Sequence, residues 1–416
     1  MKKAWSWIPT LYFAEGTPYI IVMTVSVIMY KRLDISNAEI AFYTSWLYLP
    51  WVIKPIWSPI VDLLKTKRWW IVATQFLIGA FLGGVALTIP ADAFFQYTML
   101  FFWLIAFSSA THDISADGFY MIALREKEQS FFIGIRSTFY RFAMLAGQGR
   151  MVILAGQLEE HFGNIRLAWQ IIFGIVAVLF VLFSLYHKMI LPKPANDKST
   201  GSSENLFKEF IDTFILFFKK EKIIIIIAFI LFYRFGEAQL AKLAAPFMLD
   251  SKNVGGLALS TTDVGFIYGT VGLIALILGG IIGGAVASKK GLKFWIYWML
   301  IAINIPDAVY IYLSYVQPES LTIISALVAL EQFGYGFGFT AFMLYLIYIS
   351  DGERKTAHYA IATGIMALGM MIPGMFSGAL QEALGYRLFF IWVLIATIPS
   401  FVITKFIPLD PEFGKK

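Results

Sequence analysis

The stretch FFQYTMLFFWLIAFSSATHDISADGF, residues 94–119, decides the fold. Up to Ser108 it is apolar enough to lie in lipid, yet it ends on His112, Asp113 and Asp117. Insertion scales put one charge at a membrane helix centre at about +2.5–3.5 kcal/mol. A lipid-buried helix that closes this way must therefore face water, or partners of opposite sign, inside a bundle. The whole chain points to lipid. Its 416 residues are 59% hydrophobic and 14% charged, with a mean hydropathy of +0.72. Soluble domains run about 45–50% apolar and about 25% charged. The net charge of +6 fits basic residues at the cytoplasmic ends of membrane helices better than nucleic-acid binding. With no cysteine, disulfides and thiolate metal sites are excluded. The start, MKKAWSWIPTLYFAEG, reaches Glu15 without a small-residue cleavage site and reads as an uncleaved first helix.

A spanning helix needs roughly 20 apolar residues. That measure predicts about twelve spans, near 5–30, 38–60, 69–89, 93–122, 131–158, 166–188, 222–248, 262–287, 292–316, 320–349, 356–384 and 386–408. One set of loops carries Lys65, Lys67, Arg68, Arg125, Lys127, Lys289, Lys290, Lys293, Arg354 and Lys355, together with both termini. The opposite set holds little beyond Lys31, Arg32, Arg166, Lys252 and Arg387, so both termini are expected in the cytoplasm. The expected organisation is a six-helix bundle over 1–190, a cytoplasmic linker over 191–221 and a second six-helix bundle over 222–416. In the linker, Leu206, Phe207, Phe210, Ile211, Phe214, Ile215 and Phe218 recur at helical spacing and predict an amphipathic helix on the inner membrane surface. The halves echo each other weakly, FAEG at 13–16 against FGEA at 235–238, as parallel repeats do. The run GGIIGG, 279–284, is a close-packing device for helices.

Charges then recur at depth. Counted at about 1.5 Å per residue, Glu15, Arg141, Arg234, Glu237 and Glu331 all fall near the middle of a core about 30 Å thick. His112, Asp113, Asp117 and Arg136 lie nearer the cytoplasmic side, with Lys54 in span two and Asp307 in span nine. Together they imply an internal polar cavity. Asp113 and Asp117 are four apart and share a helix face. Either one of them is protonated, which suits a proton relay with His112, or Arg136 pairs with them as part of a gate. Arg234 and Glu237, three apart, either neutralise each other or serve a substrate or proton site. Asp62 with Arg68 reads as a latch between loops. Lys54, inside WVIKPIWSP, either fixes a broken helix or binds an anion. Lys242 is expected near the outer surface, where it can snorkel. Tyr19 and Trp46 are among the aromatics near these charges, which either pack the bundle or stack on a sugar or a base.

Nothing here is enzyme-like. The four histidines have no metal-binding spacing, no GxxxxGK[ST] stretch is present and no serine sits in a GxSxG elbow. No cofactor is expected.

Two linked six-helix halves without a nucleotide motif resemble the major facilitator superfamily. The resemblance sharpens to the AmpG-type muropeptide permeases and their relatives, the acetyl-coenzyme A transporters. It is carried by FAEGTPY at 13–19, KPIWSPIVD at 54–62, SATHDISAD at 109–117, FYRFAML at 139–145, YRFGEA at 233–238 and LEQFGYGFGFTA at 330–341, nearly the whole chain in the family's order. The resemblance implies that the first, fourth, seventh and tenth helices line a central cavity, which places Glu15, His112, Asp113, Asp117, Arg234, Glu237 and Glu331 on it. This sequence departs from the family in having His112 where glutamine is frequent and E15-G-T-P18 where an SGLP-like turn is usual.

The expected function is proton-coupled import of cell-wall-derived sugar fragments across the inner membrane by alternating access. A monomer suffices, and the partners are the sugar or sugar–peptide, protons and lipid, with no nucleic acid. Arg141 and Arg234 would meet a substrate carboxylate; Glu15, Glu331, Lys54, Tyr19 and Trp46 complete the expected substrate site. Asp113, Asp117, Glu237 and His112 are the expected proton carriers, and Asp62, Arg68 and Arg136 the expected gate. The alternatives are the same fold carrying an acyl-coenzyme A or another anion, a non-transporting sensor, and an intramembrane acyltransferase.

Overall fold

In lipid every backbone N–H and C=O must find a partner within the protein, which leaves helices as the simplest answer for a chain this apolar. The computed structural model describes residues 2–198, 203–352 and 354–415, and no strand occurs among them. Among the described residues, nine helical stretches are long and apolar enough to cross a membrane, by length and composition. We label the elements used below α1 (Ile8–Arg32), α2 (Asn37–Trp46), α3 (Lys54–Leu64), α4 (Lys67–Thr88), α5 (Phe94–Ala123), α6 (Glu126–Met144), α7 (Ile165–Ile190), α8 (Ser203–Phe218), α9 (Ile223–Leu249), α10 (Thr261–Lys290), α11 (Leu292–Val316), α12 (Leu321–Ile349) and α13 (Lys355–Thr404). Helix starts are capped from the sequence: Ser36, Thr66, Asn164, Ser260 and Ser320 each accept a backbone N–H of the first turn. At 50 residues, α13 is twice the length of one span, and it turns at Gly385, whose φ of +72° suits a residue without Cβ.

The stretch expected as one span over 38–60 is broken. It runs as α2, a short helix Leu49–Val52, and α3, with Ile53 out of helical geometry at φ −93° and ψ 1°. Pro50, Pro55 and Pro59 are the physical reason, since each removes a backbone donor.

Contacts divide the chain into two units, Met1–Leu33 with Ile53–Phe210, and Asp34–Val52 with Ile211–Lys416. In the first, α4 packs along α5 and α7, and α1 along α6. In the second, α12 packs against α10 and α11, and α13 against α9 and α2. Backbones touch where glycine permits: a Cβ on Gly279 would lie 2.1 Å from the Phe333 carbonyl oxygen, and one on Gly336 would lie 1.9 Å from that of Leu276. That is the close packing the GGIIGG run predicts. The α2–α13 contact is polar. Asn37 donates to Gln381 (2.7 Å), Tyr386 (2.9 Å) and Asp250 (3.3 Å).

Lys242 differs from its sequence reading. It is only 4% exposed, donates to Thr44 Oγ1 at 3.0 Å and lies 5.3 Å from the Tyr48 ring centre, so it is held inside the second unit and does not snorkel. Its long apolar stem lets a lysine fill such a site once hydroxyl and ring satisfy the ammonium. The linker helix forms as α8. Thr213 and Phe217 pack inward, while Ile211, Ile215 and Phe218 stay exposed on the outer face; the side chains of 203–210 lie outside the described residues.

Candidate functional site

Two clusters of carboxylates lie inside the protein, one in each unit. In the first, the helical repeat decides who meets. Tyr12 and Glu15, three apart, share one face of α1, and Asp113 and Asp117, four apart, share one face of α5. The carboxylate oxygens of Glu15, Asp113 and Asp117 all lie within 4.8 Å of one another. Two cations answer them. Lys54, in the first turn of α3 after the break at Ile53, pairs with Asp113. A cation at a helix N-terminus opposes the helix dipole, so Asp113 offsets a cost as well as gaining a partner. Arg136 of α6 pairs with Asp117 at 2.9 Å, donates to the Tyr12 hydroxyl at 3.1 Å, and lies 4.7 and 5.1 Å from the ring centres of Tyr12 and Tyr120. Tyr12 in turn donates to Asp117 at 3.3 Å.

The first cluster therefore holds three carboxylates against two cations, one negative charge in excess. It also reaches water. The Asp117 and Asp113 side chains are 40% and 23% exposed, whereas Glu15 is 7% exposed and one of its oxygens, Oε2, has no hydrogen-bond partner.

The second cluster joins Glu237 of α9, Asp307 of α11 and Glu331 of α12, whose carboxylate oxygens again lie within 4.8 Å of one another. Asp307 follows Pro306 in a 3-10 turn that interrupts α11, which turns its side chain into the bundle. All three are at most 2% exposed. Glu331 accepts from the Gln332 amide at 3.0 and 3.3 Å, while neither oxygen of Asp307 has a hydrogen-bond partner. Arg234, three residues before Glu237 at a break in α9, acts on Glu237 and donates to the Tyr335 hydroxyl. Its guanidinium lies 4.9 Å from the ring centres of both Tyr335 and Phe339. No ion pair joins Asp307 or Glu331 to a lysine or arginine among the described residues.

The remaining expected residues fall elsewhere. His112 is next to Asp113 in sequence but faces α4 and α7, where it is 1% exposed. The Gln75 amide donates to its Nε2 at 2.9 Å, Gln75 Oε1 accepts from His187 Nδ1 at 2.8 Å, and Thr10 Oγ1 lies 3.0 Å from His187 Nε2. Arg68 is tied to the last turn of α7 and the chain after it. Its guanidinium donates to the Leu191 carbonyl at 3.3 Å and to that of Lys188, while the Asp197 carboxylate accepts the backbone N–H groups of Lys67 and Arg68 at 2.7 and 3.0 Å. Asp62, its expected latch partner, has a side chain outside the described residues. Arg141 is half-buried and has no hydrogen-bond or ion-pair partner among the described residues. Tyr19 lies one turn beyond Glu15, beside Tyr140, and Trp46 closes α2 in the second unit. Sequence reasoning assigned no role to Asp307, Gln332 or Tyr120; the NIPD turn at 304–307 was the available signal for Asp307.

These helices and their buried charges are those of a membrane transporter. The Major Facilitator Superfamily model matches residues 10–351, and the chain belongs to that superfamily. Among relatives, a putative transporter, AmpG 4, of Rickettsia conorii is 25% identical over 410 residues, covering 95% of this chain and 94% of that protein. The anhydromuropeptide permease of Escherichia coli is 24% identical over 398 residues, covering 94% and 77%. Solved structures share the fold: the nucleoside transporter NupG at TM-score 0.70 and 16% identity, covering 98% of this chain and 100% of that one, and a D-xylose–proton symporter at 0.71 and 13%, covering 97% and 98%. The chain is a multi-pass membrane transporter of small molecules and an AmpG-type permease by resemblance.

Proposed function

We propose that this transporter imports a cell-wall-derived sugar fragment of the anhydromuropeptide kind across the inner membrane, one proton accompanying each substrate, by alternating access and as a monomer. The observation that carries the proton is the charge count of the first cluster. Glu15, Asp113 and Asp117 stand against Lys54 and Arg136, and one proton brings the group to neutrality. A site that is neutral only when protonated can cross from one side to the other as the protein rearranges; the unprotonated site carries a charge that low-dielectric surroundings oppose. The exposure of Asp117 supplies the route for exchange with water.

The sugar assignment is supported by the permease relative of Escherichia coli. It is supported also by guanidinium groups at depth: Arg141, which has no acid partner among the described residues, and Arg234, stacked on Tyr335 and Phe339. An arginine set against aromatic rings suits a ligand with a carboxylate and a sugar face.

The test is proton flux into proteoliposomes that hold a pH dye, after an anhydromuramyl disaccharide is added outside. Substrate-dependent acidification that is absent from empty liposomes is the expected result. With reconstitution shown independently, no acidification contradicts the reading. Uptake that survives both Arg141→Ala and Arg234→Ala contradicts the assignment of the carboxylate site.

A further inference from the structure

The second cluster differs from the first in what surrounds it. Three carboxylates, Glu237, Asp307 and Glu331, converge, Arg234 acts on Glu237, and all three acids are sealed from solvent. Carboxylates buried without compensation are costly. The two in this cluster that no lysine or arginine meets among the described residues, Asp307 and Glu331, come from different helices.

A second feature, outside the acids, points the same way. Tyr310 is 0% exposed and lies one helical turn after Asp307. Its hydroxyl faces the Glu331 carboxylate. Buried polar groups are nearly always hydrogen-bonded. Here both oxygens of Asp307 are held at depth without a hydrogen-bond partner, beside the Tyr310 hydroxyl. All of these atoms are oxygens, the donor type that hard cations select.

We propose that Glu237, Asp307 and Glu331, with the Tyr310 hydroxyl, bind a sodium-sized hard cation in the second unit, separate from the proton site of the first. Size follows from the geometry. Three oxygens no more than 4.8 Å apart leave a centre at most about 2.8 Å from each (the side divided by √3), and a modest closure brings them to the 2.3–2.6 Å typical of a calcium-sized ion. Magnesium needs about 2.0–2.1 Å and keeps several waters, which this sealed site does not favour. Potassium is larger. Sodium matches calcium in size and carries the lower charge, and it is the ion that secondary transporters bind at broken helices near the midplane. Both α9, at Arg234, and α11, at Ile305–Asp307, are broken beside the cluster.

The experiment is thermal unfolding of the purified full-length protein in detergent, at constant ionic strength, with choline chloride replaced stepwise by sodium, potassium, magnesium or calcium chloride. A saturable rise in Tm on the order of 3 °C with sodium, or with calcium, and none with potassium or magnesium, is the expected result. Asp307→Asn removes the rise, whereas Asp117→Asn, in the first cluster, keeps it. That contrast separates this site from the proposed proton site. Should Asp307→Asn fail to purify, Glu331→Gln and Tyr310→Phe are read in its place, each moving the half-saturating sodium concentration up about tenfold. A wild-type Tm that is the same in sodium, calcium, potassium and choline overturns the proposal, as does a Tm that responds to acid alone. So does an unchanged half-saturation in every variant of the second cluster.

Discussion

Each unit converges three carboxylates within 4.8 Å, and the two clusters differ in nearly everything else. The first is open and paired. Lys54 and Arg136 each take one aspartate, and Asp117 is 40% exposed. The second is closed and cation-poor, no member above 2% exposed and, among the described residues, Arg234 alone acting, on Glu237. A set of acids in contact with water and one charge short of neutrality is suited to taking and releasing a proton. Sealed acids with unused oxygens are suited to holding an ion. The number of acids is the same; access and counter-charge separate the roles.

The sharpest way to break this comparison is Asp117→Asn. It neutralises the first cluster permanently, so uphill accumulation should fall to equilibrium while downhill exchange persists. Tracer uptake with and without an imposed pH gradient reads both. Unchanged accumulation in that variant moves the proton to another carboxylate. Next is Lys54→Met, which leaves Asp113 without its cation. Breaking a buried pair from one side costs about 3–5 kcal/mol, less here because both groups are about a quarter exposed, so a loss of about 2 kcal/mol is expected in thermal unfolding. Adding Asp113→Asn to Lys54→Met should return part of that loss, and an additive result contradicts the pairing.

Gln75→Leu separates packing from coupling within the first unit. It removes the hydrogen bonds that Gln75 makes with His112 and His187, at a cost of about 1–3 kcal/mol. If His112 serves packing, proton-driven uptake by the folded variant keeps its dependence on the pH gradient; loss of that dependence makes His112 part of the relay. The smallest effect is expected from Tyr310→Phe. Its hydroxyl meets the Glu331 carboxylate, so unfolding in choline should change by no more than about 1 kcal/mol. A larger loss would give Tyr310 a further structural partner.

The helical membrane fold was legible because lipid writes it in composition: long apolar runs, basic loops on one side, and small residues where helices touch; the superfamily was legible as a resemblance, carried by stretches such as KPIWSPIVD at 54–62 and SATHDISAD at 109–117. The face shared by Asp113 and Asp117 was legible from a spacing of four. Their partners were not. Lys54 reaches Asp113 because prolines break the chain at Ile53, and hydropathy does not say which way a broken helix resumes. Nor does it say what a helix packs on, and α2 lies with the second unit although it falls early in the chain. His112 beside Asp113 suggested a relay. One residue of helix turns it by about 100°, enough to face Gln75 instead. Asp307 passed without a role because its convergence with Glu237 and Glu331 is a property of three helices together.

The central claim is that the first cluster carries one proton per substrate, and the accumulation ratio tests it most directly. In proteoliposomes with the membrane potential clamped at zero, each unit of pH gradient contributes about 1.4 kcal/mol per proton. With one coupled proton, the steady-state ratio of substrate inside to outside should rise about tenfold per pH unit. The ratio should stay at one across the same gradients in Asp117→Asn. A wild-type ratio that does not change with the pH gradient, in vesicles that demonstrably exchange substrate, would contradict the account.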